Sequence, residues 1–366
     1  MLTISRDELL KPLQTVIGVV EKKQTMPILA NACIQIRENK LHVTGSDLEV
    51  ELIGKSSLSE AVAKSVELTL PGRTLLDICR SFSDDSAIEL FQDADKVIVR
   101  SGNSRFALST LPVAEFPKVE DNDSNIKFTM AQGDLLQLLK LTHFAMAQQD
   151  VRYYLNGVML EFNGNSLRAV ATDGHRLNVN TQTIDAQVDH RMQIIIPRKG
   201  IIELIRLLES NDDNIEISVG NNHIRCESED LVFTSKLIEG RFPDYMPIFS
   251  TKCDKTLDLP VARLKASLQR SAIVSQDRDH NVRLEIRENI MRVYSCNNNE
   301  SAEEELAIDY KQEELDICFN IFYLLDILNN CPSEAVRMSF TNSTGFALFE
   351  SPETDEHLFV VMPIRL

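Results

Sequence analysis

The sequence contains no apolar run close to the roughly 20 residues that a membrane-spanning helix needs. Residues 1–7 lack the basic and then apolar segments of a secretory signal peptide. The seven cysteines are dispersed, with no Cys-x-x-Cys pair, and no two histidines stand at helical spacing. We therefore expect reduced thiols, no metal site and a cytoplasmic protein.

The motifs of common enzyme classes are also missing. The chain has no Gly-x-Gly-x-x-Gly dinucleotide-binding segment and no Gly-x-Ser-x-Gly nucleophile elbow. Residues 54–56 (Gly-Lys-Ser) end like a phosphate-binding loop, but Glu49 stands where that motif requires its first glycine. His175 could act as a base beside Asp173, yet no nucleophile is identifiable, so a structural or surface histidine is the better interpretation. We expect no catalytic site and no cofactor.

Acidic residues outnumber basic ones, 55 to 38, which gives a formal net charge of −17. Such a chain repels phosphates at long range, so its charge argues against general affinity for nucleic acid. The acids crowd predicted loops such as 120–123 and 303–305, whereas bases recur on the predicted helices. A solvated helix face and a basic helical layer on an acidic body both fit this distribution. Its repetition along the chain favours the basic layer.

One pattern occurs three times: a short strand, a polar step and an amphipathic helix. It begins at residues 2–10, 127–136 and 256–264, a period of about 125 residues, which is the size of a domain. Inside each unit the pattern recurs, at 66–79, 194–205 and 315–328. The repeats predict three domains, at 1–122, 127–248 and 254–366, built from strand-then-helix half-units.

Strand signals follow the first helix of each unit and predict three hairpins. The predicted strand pairs are 32–37 with 41–45, 157–162 with 167–172 across an Asn-Gly turn at 163–165, and 282–286 with 290–294. The apolar C-terminal segment 359–366 is expected to dock as a strand, since a frayed terminus is normally polar. Each domain is therefore predicted to be α+β, mostly antiparallel sheet with two helices on one face.

Five sequence blocks, spread in order over the full length, carry a resemblance to a known family. They are 149–157 (QDVRYYLNG), 171–177 (ATDGHRL), 197–200 (PRKG), 239–245 (EGRFPDY) and 361–366 (VMPIRL). With them the chain resembles the bacterial β sliding clamps, the processivity subunits of the replicative DNA polymerase. The resemblance implies a head-to-tail homodimer in which three clamp domains per chain form a six-domain ring, with the helices on its inner face.

The resemblance also implies what such a ring does. It would encircle double-stranded DNA without sequence preference and have no catalysis of its own. Its partners would be the replicative DNA polymerase, an ATP-driven clamp loader and other proteins with a clamp-binding motif. A clamp-like scaffold that binds peptides without encircling DNA is the alternative, and an enzyme that uses His175 is the least favoured one.

Carried over by motif, the resemblance implies three sets of site residues. The peptide-binding cleft, between the second and third domains, would comprise Arg152, Tyr154, Leu155, Thr172, Gly174, His175, Arg176, Leu177, Pro243, Ile248, Asn320, Tyr323, Val360, Met362, Pro363 and Arg365. DNA contacts would come from Lys22, Lys23, Arg73, Arg80, Gln149, Tyr153, Tyr154, Arg198, Lys199 and Arg283. The dimer interface would pair Ile78, Arg105, Phe106 and Leu108 of one chain with Ile273, Val274, Glu303 and Glu304 of the other. Met246 and Pro247 stand where the family often has basic residues, and Phe346 where a small one is common.

Overall fold

The computed structural model of the chain describes residues 2–21, 26–37, 39–59, 65–117, 119, 124–275, 280–354 and 356–365. The helices are α1 (Arg6–Val16), α2 (Gly72–Ser81), α3 (Gln132–Lys140), α4 (Arg198–Leu207), α5 (Pro247–Ser250), α6 (Val261–Ser271) and α7 (Ile321–Asn330). The strands as far as residue 131 are β1 (Leu2–Ser5), β2 (Asn31–Arg37), β3 (Lys40–Ser46), β4 (Val50–Ser57), β5 (Val66–Pro71), β6 (Ala87–Asp93), β7 (Lys96–Ser101), β8 (Ser104–Ser109) and β9 (Ile126–Ala131).

The remaining strands include two long ones, β10 and β11. They are β10 (Gly157–Thr172), β11 (Arg176–Pro197), β12 (Asn214–Val219), β13 (His223–Glu227), β14 (Leu231–Lys236), β15 (Lys255–Pro260), β16 (Asn281–Arg287), β17 (Ile290–Cys296), β18 (Ser301–Ala307), β19 (Leu315–Asn320), β20 (Ala335–Phe340), β21 (Ala347–Glu350) and β22 (His357–Val361). All strand pairs among the described residues are antiparallel. The predicted α+β class is confirmed.

The six predicted strand-then-helix half-units are also confirmed, because β1, β5, β9, β11, β15 and β19 each run directly into a helix. Local signals place these junctions. Ser5 caps α1, since its hydroxyl accepts a hydrogen bond from the Glu8 amide at 3.3 Å while the Glu8 carboxylate accepts one from the Ser5 amide at 2.9 Å. Leu9, Leu13 and Val16 then form the buried face of α1 at helical spacing.

The chain folds into two compact units. The first comprises Met1–Gly133 and Ile202–Leu237. It contains a four-stranded sheet in the order β1-β6-β7-β8 and an eight-stranded sheet in the order β5-β2-β3-β4-β14-β13-β12-β9. Helix α1 packs on β3, β4 and α2. The pairing of β4 with β14 joins strands from the first and second sequence repeats in one sheet.

The second unit comprises Asp134–Ile201 and Ile238–Leu366. It contains a six-stranded sheet in the order β10-β11-β22-β21-β20-β15 and a four-stranded sheet in the order β18-β17-β16-β19. Helices α6 and α7 pack against each other over a core that includes Phe319, Phe340 and Phe359. The predicted C-terminal strand forms as β22 with Leu177 of β11 opposite Val360, but it ends at Val361, so residues 362–365 of the predicted segment lie outside it.

Two of the three predicted hairpins form, between β2 and β3 and between β16 and β17. The third prediction was wrong. Strand β10 runs unbroken through the expected turn at 163–165, with register shifts on both sides of Gly164, whose φ is +60°. An Asn-Gly pair suits a β-bulge as well as a hairpin. Pairing of the single strand β11 with both halves of β10 selects the bulge.

Candidate functional site

The second unit holds an apolar cluster that brings together several of the predicted cleft residues. We call it the cleft cluster. Its buried members are Ala147, Leu155, Met159, Val170, Leu177, Val179, Ile195, Phe242, Tyr245, Leu348, Leu358 and Val360, and the half-buried Tyr154, Ile238, Ile248, Cys253 and Phe346 pack against it. Five of these were implied by the resemblance: Tyr154, Leu155, Leu177, Ile248 and Val360. The cluster therefore joins segments that lie far apart in the sequence.

The pairing of strands β11 and β22 brings cluster residues from the middle of the chain next to those near its C-terminus. Leu177 lies opposite Val360, and the Met362 amide donates a hydrogen bond to the His175 carbonyl at 2.8 Å. At the other end of the pair, Nδ1 of the buried His357 lies 3.0 Å from Oδ1 of Asn180. Burial lowers the pKa of His357, so this ring stays neutral at pH 7. The C-terminal strand thus forms one wall beside the Thr172–Arg176 turn.

The turn between β10 and β11 is fixed by its own side chains. Thr172 Oγ1 accepts a hydrogen bond from the Gly174 amide at 3.0 Å, and Asp173 Oδ1 accepts from the amides of His175 and Arg176 at 2.9 and 3.0 Å. Gly174 has φ +92°, and a Cβ there would lie 3.2 Å from the Arg152 guanidinium. Glycine is therefore required at 174, and the Asp173 carboxylate is committed to the turn rather than to the His175 ring.

Arg176 links this turn to helix α7. Its Nε donates to Asp173 Oδ2 at 3.1 Å, its Nη1 donates to Asp326 Oδ2 at 2.6 Å, and its guanidinium lies 4.4 Å above the ring centre of Tyr323. Burial and the neighbouring Asp173 raise the pKa of Tyr323, so its hydroxyl remains a hydrogen-bond donor. Asn320, another predicted cleft residue, caps α7 by accepting from the Phe322 amide at 3.0 Å.

The loop before β10 presents further predicted residues. The Asp150 carboxylate accepts from the backbone and guanidinium of Arg152 at 2.7 and 3.0 Å, and these hydrogen bonds lower the pKa of Asp150 to about 2. Arg152 also reaches the Asp173 carbonyl at 3.3 Å. Tyr153 stays exposed while Leu155 enters the cleft cluster. This loop therefore presents side chains both to the cleft cluster and to the open surface.

The remaining predicted cleft residues lie at the margins. Pro243, Met362 and Arg365 are exposed, and Pro363 is half-buried. The last segment is held by the Ile364 amide, which donates to the Cys318 carbonyl at 2.8 Å. Sequence reasoning missed Val170, Val179 and Tyr245, although Val170 and Val179 follow the strand alternation that would have found them.

The side chains predicted to contact DNA differ in how far their positive charge is already paired within the protein. Arg80 is exposed in the last turn of α2, whereas Nε of Arg73 is tied to the Val20 carbonyl at 2.8 Å. Arg283 lies 3.1 Å from Glu285 and 3.2 Å from Asp316, so its charge is balanced within the sheet. Lys22 and Lys23 lie outside the described residues.

The other predicted DNA contacts fall in the second unit. Gln149 is exposed with φ +56°, and the rings of Tyr153 and Tyr154 meet edge to face with centres 6.0 Å apart. Arg198 and the half-buried Lys199 begin α4, and the Arg198 amide donates to the Asn156 carbonyl at 2.9 Å. The loop before β10 and the start of α4 are thus neighbours.

Each predicted half of the dimer interface includes an edge strand of a sheet. Strand β8 is the edge strand of one sheet of the first unit, and beside it lies a shallow groove of about 570 Å³ lined by Ile78, Arg105, Phe106 and Leu108. Strand β18 ends a sheet of the second unit. Glu303 on β18 is exposed, whereas Glu304 accepts from Arg270 at 2.8 Å, which lowers the pKa of Glu304. Ile273 is 68% exposed, and Val274 beside it is half-buried.

Within the described part of the chain, no helix has the length and apolar composition of a membrane span. No group of three or more histidine, cysteine, aspartate or glutamate side chains in the same residues could hold a metal ion.

Comparison with known proteins covers the whole chain. Family models of the DNA polymerase III beta subunit match in order: the N-terminal domain at residues 1–120, the central domain at 129–244 and the C-terminal domain at 246–365. The beta sliding clamp of Pseudomonas aeruginosa is 44% identical over 100% of this chain and 99% of its own length, and that of Escherichia coli K12 is 41% identical with the same coverage. A crystal structure of the P. aeruginosa clamp bound to griselimycin superimposes with a TM-score of 0.96 at 44% identity, covering 100% of this chain and 99% of the other. The chain therefore belongs to the DNA polymerase III β subunit family, the bacterial β sliding clamps.

Proposed function

We propose that two copies of this chain close a ring around duplex DNA, and that the cleft cluster of each copy tethers partner proteins to it. The proposal is carried by one observation, the full-length similarity to β sliding clamps. The cleft cluster supports it, because short apolar peptide motifs bind in grooves of this kind. On this proposal the repeats at 1–122, 127–248 and 254–366 are the three clamp domains.

A ring of two chains has room for DNA, and a ring of one does not. Each chain supplies six helices that follow strands. Twelve helices packed about 10 Å apart give a ring about 38 Å across between axes, which leaves a bore of about 28 Å after helix thickness is subtracted. Six helices would leave about 9 Å. A duplex with surrounding water fits only the larger bore.

Such a ring holds DNA by topology rather than by affinity. Weak contacts to phosphates, made through water and independent of sequence, permit sliding. The net charge of −17 discourages binding of DNA to the wrong surface. We assign the weak contacts to Arg73, Arg80, Gln149, Tyr153, Tyr154, Arg198 and Lys199, with a smaller contribution from the ion-paired Arg283.

In the cleft, we propose that Leu155, Leu177, Ile248 and Val360 bind the apolar anchor side chains of a partner peptide. The polar rim, which includes Arg152, His175 and Arg365, would bond the peptide backbone and amide side chains. The partners would be the replicative DNA polymerase, an ATP-driven clamp loader and other proteins with a clamp-binding motif. The clamp itself would act in the cytoplasm without catalysis.

The oligomeric state tests the ring. We expect light scattering on a sizing column, at micromolar concentration, to give a mass near twice the 41.4 kDa of one chain. Changing the exposed Ile273 to Asp should raise the dimer dissociation constant by about 100-fold, because it buries an unpaired carboxylate at the interface.

The matched control is Ile202→Asp on α4, because Ile202 is also exposed, at 44%, and lies outside the proposed interface. This variant should remain a dimer. A wild-type monomer that persists at high concentration would remove the ring and leave a peptide-binding scaffold as the better account.

A further inference from the structure

An exposed apolar patch lies beside the cleft cluster, on and next to the short helix α5. Met246 and Phe249 are 41% and 48% exposed, whereas Ile248 between them packs into the cluster. The segment is held by its own turn, in which the amides of Ile248 and Phe249 donate to the carbonyls of Tyr245 and Met246 at 3.2 and 3.1 Å. Met246 and Phe249 therefore face solvent from the same short segment whose Ile248 packs against the cleft cluster.

Arg168 on β10 holds this patch in place. Its Nη1 lies 3.4 Å from the Tyr245 hydroxyl and 3.8 Å from the Met246 sulfur, and its guanidinium lies 5.2 Å from the ring centre of Phe249. Its Nε donates to Thr181 Oγ1 at 3.1 Å. A guanidinium at this distance from an aromatic ring gains cation–π attraction.

The charge of Arg168 is balanced by Glu161. Nη1 of Arg168 lies 3.9 Å from Glu161, a buried carboxylate that also accepts from Arg191 at 2.9 Å and from Gln193 at 2.6 Å. Because Glu161 is shared between two arginines, Arg168 is anchored without having to reach into solvent. Tyr245, Met246 and Phe249 therefore all contact a side chain that is ion-paired with a buried carboxylate.

The patch and the cleft floor share one face of the β10–β11 pair. The cross-strand partners are Thr172 with Leu177, Val170 with Val179, and Arg168 with Thr181. Residues two apart on a strand point to the same side, so these three pairs form one continuous row. The row begins at the cleft residues Thr172 and Leu177 and ends at Arg168, about 13 Å away along the strand.

We infer that the Met246–Phe249 patch is a further contact site for the partner peptide, one that takes an apolar side chain outside the clamp-binding motif. The inference rests on the proposed function of the cleft. Continuity with the cleft selects the occupant, because Ile248, which packs against the cleft cluster, lies between Met246 and Phe249. An extended peptide anchored over Leu177 needs about four residues to cover the distance to Arg168. Two half-exposed apolar side chains offer that residue a surface to bury.

Fluorescence polarisation with a labelled Gln-containing clamp-binding peptide tests the inference. One series adds leucine about three to five residues beyond either end of the motif, and a matched series adds serine at the same positions. Leucine at one end should tighten binding about five- to tenfold over serine, which corresponds to the burial of about 40–60 Å² of apolar surface. Leucine at the other end should change nothing.

Phe249→Ala should abolish the leucine advantage and leave the affinity for the unextended motif within about twofold. Ile202→Ala, at a site of similar exposure away from the cleft, should preserve the advantage. Equal binding of the leucine and serine peptides at both ends would overturn the inference, as would an advantage that survives Phe249→Ala. Failure of the unextended motif to bind wild-type protein would instead overturn the proposed function, and the inference with it.

Discussion

Replacing Gly157 with alanine is expected to lower the free energy of unfolding by about 3 kcal/mol, the largest effect we expect of one methyl group. Gly157 begins β10 opposite Pro197. A Cβ there would overlap the Ile196 carbonyl oxygen and lie 3.0 Å from its carbonyl carbon and 3.1 Å from Cγ2 of Ile195. Because backbone atoms cannot move aside as a flexible side chain can, the two strands must separate where their pairing begins.

Urea unfolding followed by circular dichroism measures this effect. Gly102→Ala is the control, since Gly102 has φ +54° and a Cβ there would meet nothing within 4 Å. It should cost about 1 kcal/mol, the penalty of left-handed backbone for a residue with a side chain. Equal losses for the two variants would show that the β10–β11 spacing at Gly157 has room for a side chain.

Arg176→Ala is expected to weaken binding of the clamp-binding peptide at least tenfold, and to destabilise the protein by about 2–3 kcal/mol. The change leaves the carboxylates of Asp173 and Asp326 without their shared cation and removes the guanidinium from the face of Tyr323. The turn and helix α7 then lose the side chain that fixes their spacing. Titration of the variant into labelled peptide, at a temperature well below the variant's unfolding midpoint, separates the loss of affinity from the loss of stability.

Arg292→Ala provides the comparison, because the exposed Arg292 on β17 pairs with Glu305 at 2.9 Å and Glu303 at 3.8 Å on the neighbouring strand β18. Its effect on stability should stay within about 0.5 kcal/mol. Arg176→Lys keeps the charge but loses the planar fork, so it should recover only part of the affinity. A stability loss in Arg176→Ala with unchanged peptide affinity would exclude Arg176 from the binding site.

The parts of the fold that could be predicted from the sequence are those set by local signals. Apolar periodicity places a helix directly after its strand in all six half-units, and side-chain caps at Ser5 and Asn320 add to this signal for α1 and α7. The turn expected at 163–165 failed for a non-local reason. Pairing of β11 with both halves of β10 outweighs the turn preference of Asn-Gly.

The residues of the candidate site also fall into those that local sequence identifies and those that only the tertiary fold brings together. Thr172, Gly174 and Arg176 could be singled out because they belong to one contiguous block of sequence. Arg168 could not, because its partners on residues 245–249 reach it only through the tertiary fold. The balanced charge of Arg283 was hidden for a similar reason, since Asp316 meets it across two paired strands.

Retention on end-capped linear DNA tests the central claim most directly. A duplex with biotin at both ends would be incubated with the protein, closed with streptavidin and passed through a sizing column at about 0.5 M salt, where phosphate contacts are weak. A closed ring should stay with the capped DNA and leave when a restriction enzyme cuts it. The protein should not be retained when streptavidin is added before it. Retention that ignores the caps, or loss from every substrate under these conditions, would contradict a ring that holds DNA by encircling it.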